Sequence, residues 1–296
     1  MTIQWFPGHM AKARREVEEK LNQVDLVFEL LDARLPLSSR NPMIGDLIRK
    51  KPRLILLTKS DLADREATRL WAGFFRSDQV QAHPVDILSG AGIKQIGSIS
   101  RELVKEKLAS QTRKGIRHHR IRAMVVGVPN VGKSALINRL SGRSPAKTGD
   151  RPGVTRTQQW IKLGNGMELL DTPGILWPKF DDPQVGLRLA ASGAIKEEVL
   201  SVEEIGLYLL NYIAERYPDL LRDRYQLNPQ EKREAPLLLE EVGKRRGCMR
   251  KGGEIDLEKA AEVVLRDYRS GRLGRISLEF PMDWGDETDE REGDNL

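Results

Sequence analysis

Gly127-Val-Pro-Asn-Val-Gly-Lys-Ser134 is the stretch of this chain that decides its fold. It fits G-x-x-x-x-G-K-[ST], a loop whose backbone N–H groups surround nucleotide phosphates. The motif that commonly recognises guanine, (N/T)-K-x-D, should lie far downstream of such a loop. Its only good match here, Thr58-Lys-Ser-Asp61, lies upstream. Because both motifs are intact, we predict a nucleotide-binding domain whose element order is circularly permuted.

Apolar runs of strand length alternate with helical patterns through residue 178. This alternation predicts an α/β fold, with a mostly parallel sheet and helices on both faces. The predicted strands are Val24–Leu31, Leu54–Leu57, Val80–Val85, Met124–Val126, Gln158–Leu163 and Glu168–Leu170, and the predicted helices are Ala11–Gln23, Ala63–Phe75 and Ile93–Ser110.

The pattern changes after Trp177-Pro178, where strand-like runs stop. The predicted helices from there on are Val185–Ala194, Val202–Arg216, Pro236–Arg246 and Leu257–Ser270. Pro218, Pro229 and Gly252-Gly253 punctuate this part of the chain. We therefore divide the chain into a permuted nucleotide-binding domain at 1–178, a small all-α domain at 179–281 and an acidic tail at 282–296, which we expect to be disordered.

The phosphate loop supplies most of the predicted phosphate site. The backbone of Asn130, Val131 and Gly132 and the following helix N-terminus should face the anion. Lys133 should reach the β- and γ-phosphates and contribute to catalysis, and Ser134 should ligate Mg²⁺. A plain strand–turn–helix is the alternative, and the strand before the loop and the helical spacing after it argue against that interpretation.

A second motif, Asp171-Thr-Pro-Gly174, follows the last predicted strand. The Asp171 carboxylate is placed to hold Mg²⁺ through water, and the Gly174 N–H to sense a γ-phosphate. A polar segment at 147–157 lies between the two motifs and is typical of a mobile switch. Its Thr155 is our choice to complete the Mg²⁺ shell in the catalytic state, with Thr148 and Thr157 as rivals and an ordinary loop as the alternative.

Base specificity is predicted to come from Thr58–Asp61. A carboxylate at Asp61 can accept two hydrogen bonds from guanine N1–H and N2–H₂, a donor pair that adenine lacks. The Lys59 stem should cover the ring face, and Thr58 ends the strand. The alternative is that Asp61 caps a helix. The loop that backs the base is expected near Asp86–Gly90, after the next strand.

Charge indicates the class of partner. The net charge is +6, and because residues 283–296 carry seven acids and one base, the rest of the chain carries +12. A basic body favours nucleic acid over an acidic protein. With a single cysteine, Cys248, and no apolar run of 18 residues, we expect a cytoplasmic protein without a membrane partner.

With these motifs in place, the chain resembles the circularly permuted GTPases of the YlqF/RbgA family over residues 1 to about 281. The segments that carry the resemblance, beside the three motifs above, are Trp5-Phe-Pro-Gly-His-Met10, Leu31-Asp-Ala-Arg-Leu-Pro-Leu-Ser-Ser-Arg-Asn-Pro42, Pro152-Gly-Val-Thr155, Ile175-Leu-Trp-Pro178 and Arg245-Arg-Gly-Cys-Met249. The resemblance implies assembly of the large ribosomal subunit, contact with its rRNA and proteins by a helical C-terminal domain, and GTP hydrolysis to GDP that the particle stimulates. We expect a monomer.

The resemblance also implies a catalytic role for His9. Ile175 stands where signalling GTPases commonly place a water-orienting glutamine, so slow intrinsic turnover is expected. From the residues alone, a lone histidine is more often structural, and His83, His118 and His119 are interpreted as structural or RNA-facing. Asn130 resembles the position at which potassium-dependent GTPases hold K⁺ between the phosphates. The sequence departs from the family pattern at Ile87-Leu88, where many GTPases have Ser-Ala.

Two basic segments are candidates for a polyanion contact, with a solvated surface as the alternative for each. Residues 101–122 carry eight bases, and the helical domain carries Lys244, Arg245, Arg246, Arg250 and Lys251, followed by Arg266, Arg269, Arg272 and Arg275 at near-helical spacing. The competing functions are a nucleotide-gated RNA scaffold, in which hydrolysis is incidental, and an ATPase or metabolic kinase, against which Asp61 argues.

Overall fold

A computed structural model describes residues 15, 17–116, 120–142, 159–163, 166–172, 180, 182–195, 200–227 and 234–283. The chain divides into two compact units. The second unit is Phe180–Leu278, and the first unit holds the residues before it together with Glu279 and the residues after it. Among the described residues, no helix has the length and apolarity that spanning a membrane requires.

The first unit is built on one six-stranded sheet. Its strands are β1 (Leu26–Asp32), β2 (Arg53–Thr58), β3 (Val80–Pro84), β4 (Ile121–Val126), β5 (Gln159–Lys162) and β6 (Met167–Asp171). They lie in the order β3-β2-β1-β4-β6-β5, and every neighbouring pair is parallel except β5 with β6. The predicted mostly parallel α/β sheet is confirmed.

The apolar runs of the central strands explain their position. All seven residues of β1 are buried, and so are the last five of β2 and the last four of β4. Strands with little polar surface must be covered on both faces, which is the usual environment of a parallel sheet. Since the carboxyl ends of parallel strands meet at one edge, the residues that follow β1, β2, β4 and β6 lie close together there.

Helices connect these strands: α1 (Pro42–Ile48), α2 (Arg65–Phe74), α3 (Ile96–Leu103), α4 (Lys105–Arg113) and α5 (Lys133–Ser141). Helix α1 was not predicted; it begins where the Asn41 side chain accepts a hydrogen bond from the Met43 N–H, with Pro42 in the first turn. The single helix predicted at Ile93–Ser110 is wrong. The chain leaves helical geometry at the buried Val104 (φ −110°, ψ 14°), so two helices form there.

The described part of the second unit contains α6 (Pro183–Ser192), α7 (Val202–Arg216), α8 (Pro218–Tyr225), α9 (Ala235–Arg246) and α10 (Leu257–Arg269). Helix α7 has the predicted bounds. Pro218 does not merely interrupt the chain, because it occupies the first turn of α8, where its missing N–H costs nothing. Helices α7 and α10 pack closely: a Cβ built on Gly206 would lie 2.6 Å from the Ala261 Cβ.

Candidate nucleotide-binding site

The phosphate loop has the predicted strand–loop–helix context. Strand β4 ends at Val126, the loop follows, and α5 begins at Lys133. Glycine is required at Gly127 because a Cβ there would lie 2.7 Å from the Leu30 carbonyl oxygen of β1. Gly132 has φ 108°, and a Cβ there would lie 2.9 Å from Ile87 Cδ1. The loop is therefore fitted closely against β1 on one side and the loop after β3 on the other.

Lys133 is buried inside the phosphate loop. Its Nζ donates hydrogen bonds to the carbonyl oxygens of Gly127 at 3.1 Å and Val128 at 2.8 Å. Burial lowers the pKa of Lys133 to about 8, against the opposing effect of the Asp171 carboxylate. The ammonium group is thus desolvated and held at the place where a phosphate would supply the missing negative charge.

Asp171 ends β6 and is paired in register with Val125 of β4, directly before the phosphate loop. Its exposed fraction is 1%, and neither carboxylate oxygen has a hydrogen-bond partner of normal geometry in the described part of the chain. Burial raises the pKa of Asp171, while Lys133 and the Thr172 N–H pull it down. A buried carboxylate without a partner, beside the helix that carries Ser134, is a donor set that fits Mg²⁺.

The guanine motif lies at the end of β2, as predicted. The Thr58 hydroxyl lies 2.8 Å from the Val131 carbonyl oxygen and 3.1 Å from that of Leu31. Lys59 has a left-handed backbone (φ 55°), and Asp61 follows in the turn that leads to α2. The strand ends thus bring Thr58 to the phosphate loop, although the two motifs are far apart in sequence.

Asp32, at the end of β1, contacts the predicted guanine motif, although the sequence analysis assigned it no role. Its carboxylate lies 2.9 Å from Lys59 Nζ and accepts two hydrogen bonds from the Arg34 guanidinium, at 2.9 and 2.7 Å. Burial alone would raise the pKa of Asp32, but Arg34 and Lys59 together hold it far below its usual range. The ionised carboxylate therefore fixes the Lys59 side chain. In the sequence, Asp32 lies within the Leu31–Pro42 segment that carries the family resemblance, but no role was predicted for it.

The loop after β3 is fixed by its own side chain. Asp86 accepts hydrogen bonds from the N–H groups of Leu88 at 2.9 Å and Ser89 at 3.3 Å, and Arg139 of α5 donates to the Ser89 carbonyl at 3.1 Å. Burial would raise the pKa of Asp86, and the hydrogen bonds lower it. Ile87 approaches Gly132, whereas Leu88 is 86% exposed. The predicted base-backing loop thus contacts the phosphate loop through Ile87.

Several predicted residues lie outside the described residues, and their roles stay predictions. These are His9, Thr155, its rivals Thr148 and Thr157, Gly174, Ile175, His118 and His119. His83 lies within the described part, where its Nε2 is 2.9 Å from the Gly92 carbonyl oxygen. The described site thus contains Thr58, Lys59, Asp61, Asn130, Val131, Gly132, Lys133, Ser134 and Asp171.

Comparison with known proteins gives a consistent set of relatives. A family model described as 50S ribosome-binding GTPase matches residues 122–239. The chain is 52% identical over 294 residues to the ribosome biogenesis GTPase A of Bacillus cereus, covering 99% of this chain and 98% of that protein. The protein of the same name from Thermotoga maritima is 30% identical over 281 residues, with 95% of each chain covered.

Solved structures of a relative agree with these matches. The GDP-bound structure of Thermotoga maritima YlqF superimposes with a TM-score of 0.63 at 26% identity, covering 91% of this chain and all of that one. A second structure of YlqF, described as GNP-bound, gives a TM-score of 0.61, with 91% and 98% covered. The similarity therefore extends over nearly the whole chain rather than over the phosphate loop alone.

Proposed function

Because the chain belongs to the ribosome biogenesis GTPase A family and is therefore a GTP hydrolase, we propose that it binds the precursor of the large ribosomal subunit and hydrolyses GTP at a late step of its assembly. The observation that carries this proposal is the Thr58–Val131 hydrogen bond, which joins a guanine motif and a phosphate loop into one site. The matching family model is that of a 50S ribosome-binding GTPase, which supports the large subunit as the partner. We propose a cytoplasmic monomer.

We further propose that the GTPase domain is circularly permuted. Strand β4, which precedes the phosphate loop, lies between β1 and β6. The strands that precede it in the chain all lie on one side of it, and those that follow lie on the other. The family model that matches this chain begins at residue 122, in β4, and leaves the guanine motif outside its match. Both observations support a chain that has been opened between the two motifs and joined elsewhere.

The proposed hydrolysis uses the residues of the phosphate site in distinct roles. Lys133 replaces its hydrogen bonds to two loop carbonyls by hydrogen bonds to phosphate oxygens. Because its ammonium group is already buried, little water has to be removed when it contacts the phosphates. Ser134, Asp171 and Thr155 are proposed to hold Mg²⁺, which when bound neutralises charge on the β- and γ-phosphates. Asn130, whose backbone is left-handed (φ 56°), is proposed to hold K⁺, and Gly174 to sense the γ-phosphate. His9 is proposed to assist the attacking water in place of the glutamine that Ile175 replaces.

The second unit is proposed to contact rRNA through the basic end of α9 and the turn after it. Its exposed bases there are Lys244, Arg245, Arg246, Arg250 and Lys251. Arg245 donates to the Gln226 carbonyl and Arg246 to the Arg224 carbonyl, so both guanidinium groups are presented in fixed positions. Fixed guanidinium groups suit phosphate recognition because little side-chain entropy is lost on binding.

The predicted continuation of this basic face along α10 needs a correction. Arg269 donates hydrogen bonds to the carbonyl oxygens of Ala190 and Ala191, at 2.8 and 2.9 Å, and so satisfies the carboxyl end of α6. Helix α10 ends at Arg269, so Arg272 and Arg275 lie beyond it and do not continue its helical spacing. Of the four arginines, Arg266 remains on an exposed part of the helix.

The proposal is tested by GTP turnover in potassium buffer, alone, with purified large ribosomal subunits and with small subunits as the control. A large increase with the large subunit only is the expected result. Replacing His9 by alanine should remove that increase while GTP binding is retained. An unchanged rate with either particle would leave a GTPase without a ribosome-activated step, and an unchanged rate in the His9→Ala protein would remove His9 from the mechanism.

A further inference from the structure

Glu279 is the residue that follows the second unit in the chain, and it is buried and belongs to the first unit. The Glu279 carboxylate accepts hydrogen bonds from the N–H groups of Leu37 at 2.8 Å and Ser38 at 3.0 Å, and from the Ser38 hydroxyl. Its carbonyl oxygen accepts a hydrogen bond at 3.0 Å from the indole Nε1 of Trp71, which is itself fully buried. A single residue thus satisfies four donors from two separate segments of the domain.

The first of these segments supports Lys59. Leu37 and Ser38 belong to the loop between β1 and α1, and the next residue, Ser39, accepts a hydrogen bond through its hydroxyl oxygen from the Asp32 N–H at 3.0 Å. The Asp32 carboxylate in turn lies 2.9 Å from Lys59 Nζ. Hydrogen bonds, together with the peptide bond between Ser38 and Ser39, therefore connect Glu279 to Asp32, whose carboxylate contacts the lysine that we assign to the guanine ring.

The second segment follows Asp61. Trp71 lies in α2, whose N-cap residue, Asp64, comes three residues after Asp61 and accepts a hydrogen bond from the Ala67 N–H at 2.9 Å. The position of α2 sets where the turn that carries Asp61 ends. Glu279 therefore contacts both the loop that holds Lys59 and the helix that leads away from Asp61.

We propose that Glu279 is a positioning residue for guanine-nucleotide binding, which holds the two segments that present Lys59 and Asp61. The proposal rests on the proposed function, in which the guanine motif that contains Lys59 and Asp61 binds the base. A base pocket whose walls are fixed in advance binds more tightly, because less conformational freedom is lost when the ligand enters. Loss of the Glu279 carboxylate frees the loop at residues 33–41, and with it the support of Asp32.

The test compares Glu279→Gln with the unchanged chain by calorimetric titration of GTP and GDP. Glutamine keeps the volume but replaces one acceptor oxygen by a donor that faces the Leu37 and Ser38 N–H groups. We expect the Kd for GTP and GDP to rise by the same factor, about fivefold to tenfold, the scale of one ordinary hydrogen bond. The factor should be common to both nucleotides because they share the base and the ribose, whereas a fault in the phosphate site would change their ratio.

Two further variants separate positioning from general folding. Asp283→Asn is the matched control, because Asp283 accepts a hydrogen bond from the Phe280 N–H in the same segment but is exposed; its Kd should not change. Ser38→Ala removes one donor with little risk to folding and should raise both Kd values about twofold. It decides the matter if Glu279→Gln does not fold. Nucleotide affinities equal to the unchanged chain, whatever the melting temperature does, would overturn the proposal.

A double-mutant comparison gives a readout that a merely structural role would not move. If Glu279 acts through Asp32, then Glu279→Gln added to Asp32→Asn should raise the Kd less than it does alone, whereas independent effects would multiply. Asp61→Asn must separately abolish GTP binding. If Asp61→Asn binds GTP normally, the assignment of the base site itself is wrong. If Asp61→Asn loses GTP binding but Ser38→Ala and Glu279→Gln keep it, only the positioning role of Glu279 is wrong.

Discussion

The Thr58 hydroxyl donates a hydrogen bond to the Val131 carbonyl oxygen at 2.8 Å. Thr58 ends β2 and Val131 lies in the loop after β4, and these strands are not neighbours, because β1 lies between them. The same hydroxyl is 3.1 Å from the Leu31 carbonyl of β1. One fully buried side chain therefore bridges three adjacent strand ends and links the guanine motif to the phosphate loop.

Thr58→Val should weaken nucleotide binding. Valine keeps the shape but leaves the Val131 carbonyl without its partner in a buried position, at a cost of about 1–3 kcal/mol. We expect the Kd for GDP to rise by about fivefold or more, measured by calorimetric titration. Thr58→Ser keeps the hydroxyl and is the control. Normal GDP affinity in the valine variant would mean that the loop keeps its position without this bond.

Secondary structure was predictable here where one physical signal dominated. The four central strands, β1, β2, β4 and β6, could be predicted because such strands are buried on both faces, which leaves apolar runs in the sequence. Helix α8 was not predicted because Pro218 reads as punctuation in the sequence, although proline is also suited to the first turn of a helix. Helix α1, which has Pro42 in its first turn, was not predicted either. The break at Val104 carries no comparable signal, since no glycine or proline marks it.

The site was predictable only as far as its motifs reach. Lys133, Ser134 and Asp171 lie in short motifs, and binding phosphate and metal requires these residue types at these positions. Asp32 was not found because its contact with Lys59 depends on strand register, which pairs Asp32 of β1 with Thr58 of β2. The contact of Arg269 could not be predicted for a related reason. The spacing of arginines along α10 does not show that α6 ends where the Arg269 guanidinium can reach its last carbonyl oxygens.

Asp171→Asn should have opposite effects on stability and on metal-dependent binding. Burial raises the pKa of Asp171, so the ionised carboxylate disfavours the folded, nucleotide-free protein, and an amide removes that charge. We expect a thermal midpoint at or above that of the unchanged chain. Mg²⁺ should nevertheless no longer tighten GTP binding, as compared with titrations in EDTA. A clearly lower midpoint, or a retained effect of Mg²⁺, would contradict the assignment of Asp171 as a metal residue.

Asp267→Asn should destabilise the second unit. The buried Asp267 accepts hydrogen bonds from Arg224 Nε and Nη2 at 2.8 and 3.0 Å and from the Tyr225 hydroxyl at 3.2 Å. Removing one partner of such a pair costs about 3 kcal/mol. Asp223→Asn is the control, because Asp223 and its partner Arg222 are both largely exposed. Equal thermal midpoints for the two variants would show that the buried pair adds nothing.

The same carboxylate should give the second unit an acid-sensitive component of stability. Burial would raise the pKa of Asp267, but the hydrogen bonds from Arg224 lower it below its ordinary value. A lowered pKa in the folded state means that this stabilisation is present at neutral pH and is lost as the pH falls through the folded pKa. In Asp267→Asn the decline of the thermal midpoint with acid should therefore be shallower than in the unchanged chain, and parallel curves would refute this linkage.

Lys133 should take up a proton when nucleotide binds in mildly alkaline solution. Burial lowers its pKa to about 8 in the nucleotide-free protein, so at pH 8.5 the amine is mostly neutral, whereas phosphate oxygens beside it would raise the pKa again. The terminal phosphate of GDP is already ionised at this pH and contributes no proton change. Calorimetry of GDP binding in EDTA, in two buffers that differ in ionisation enthalpy, should show net proton uptake. Lys133→Met serves as the control and should show none; an uptake that persists in it would assign the proton to another group, and no uptake in the unchanged chain would mean that Lys133 stays charged within the empty loop.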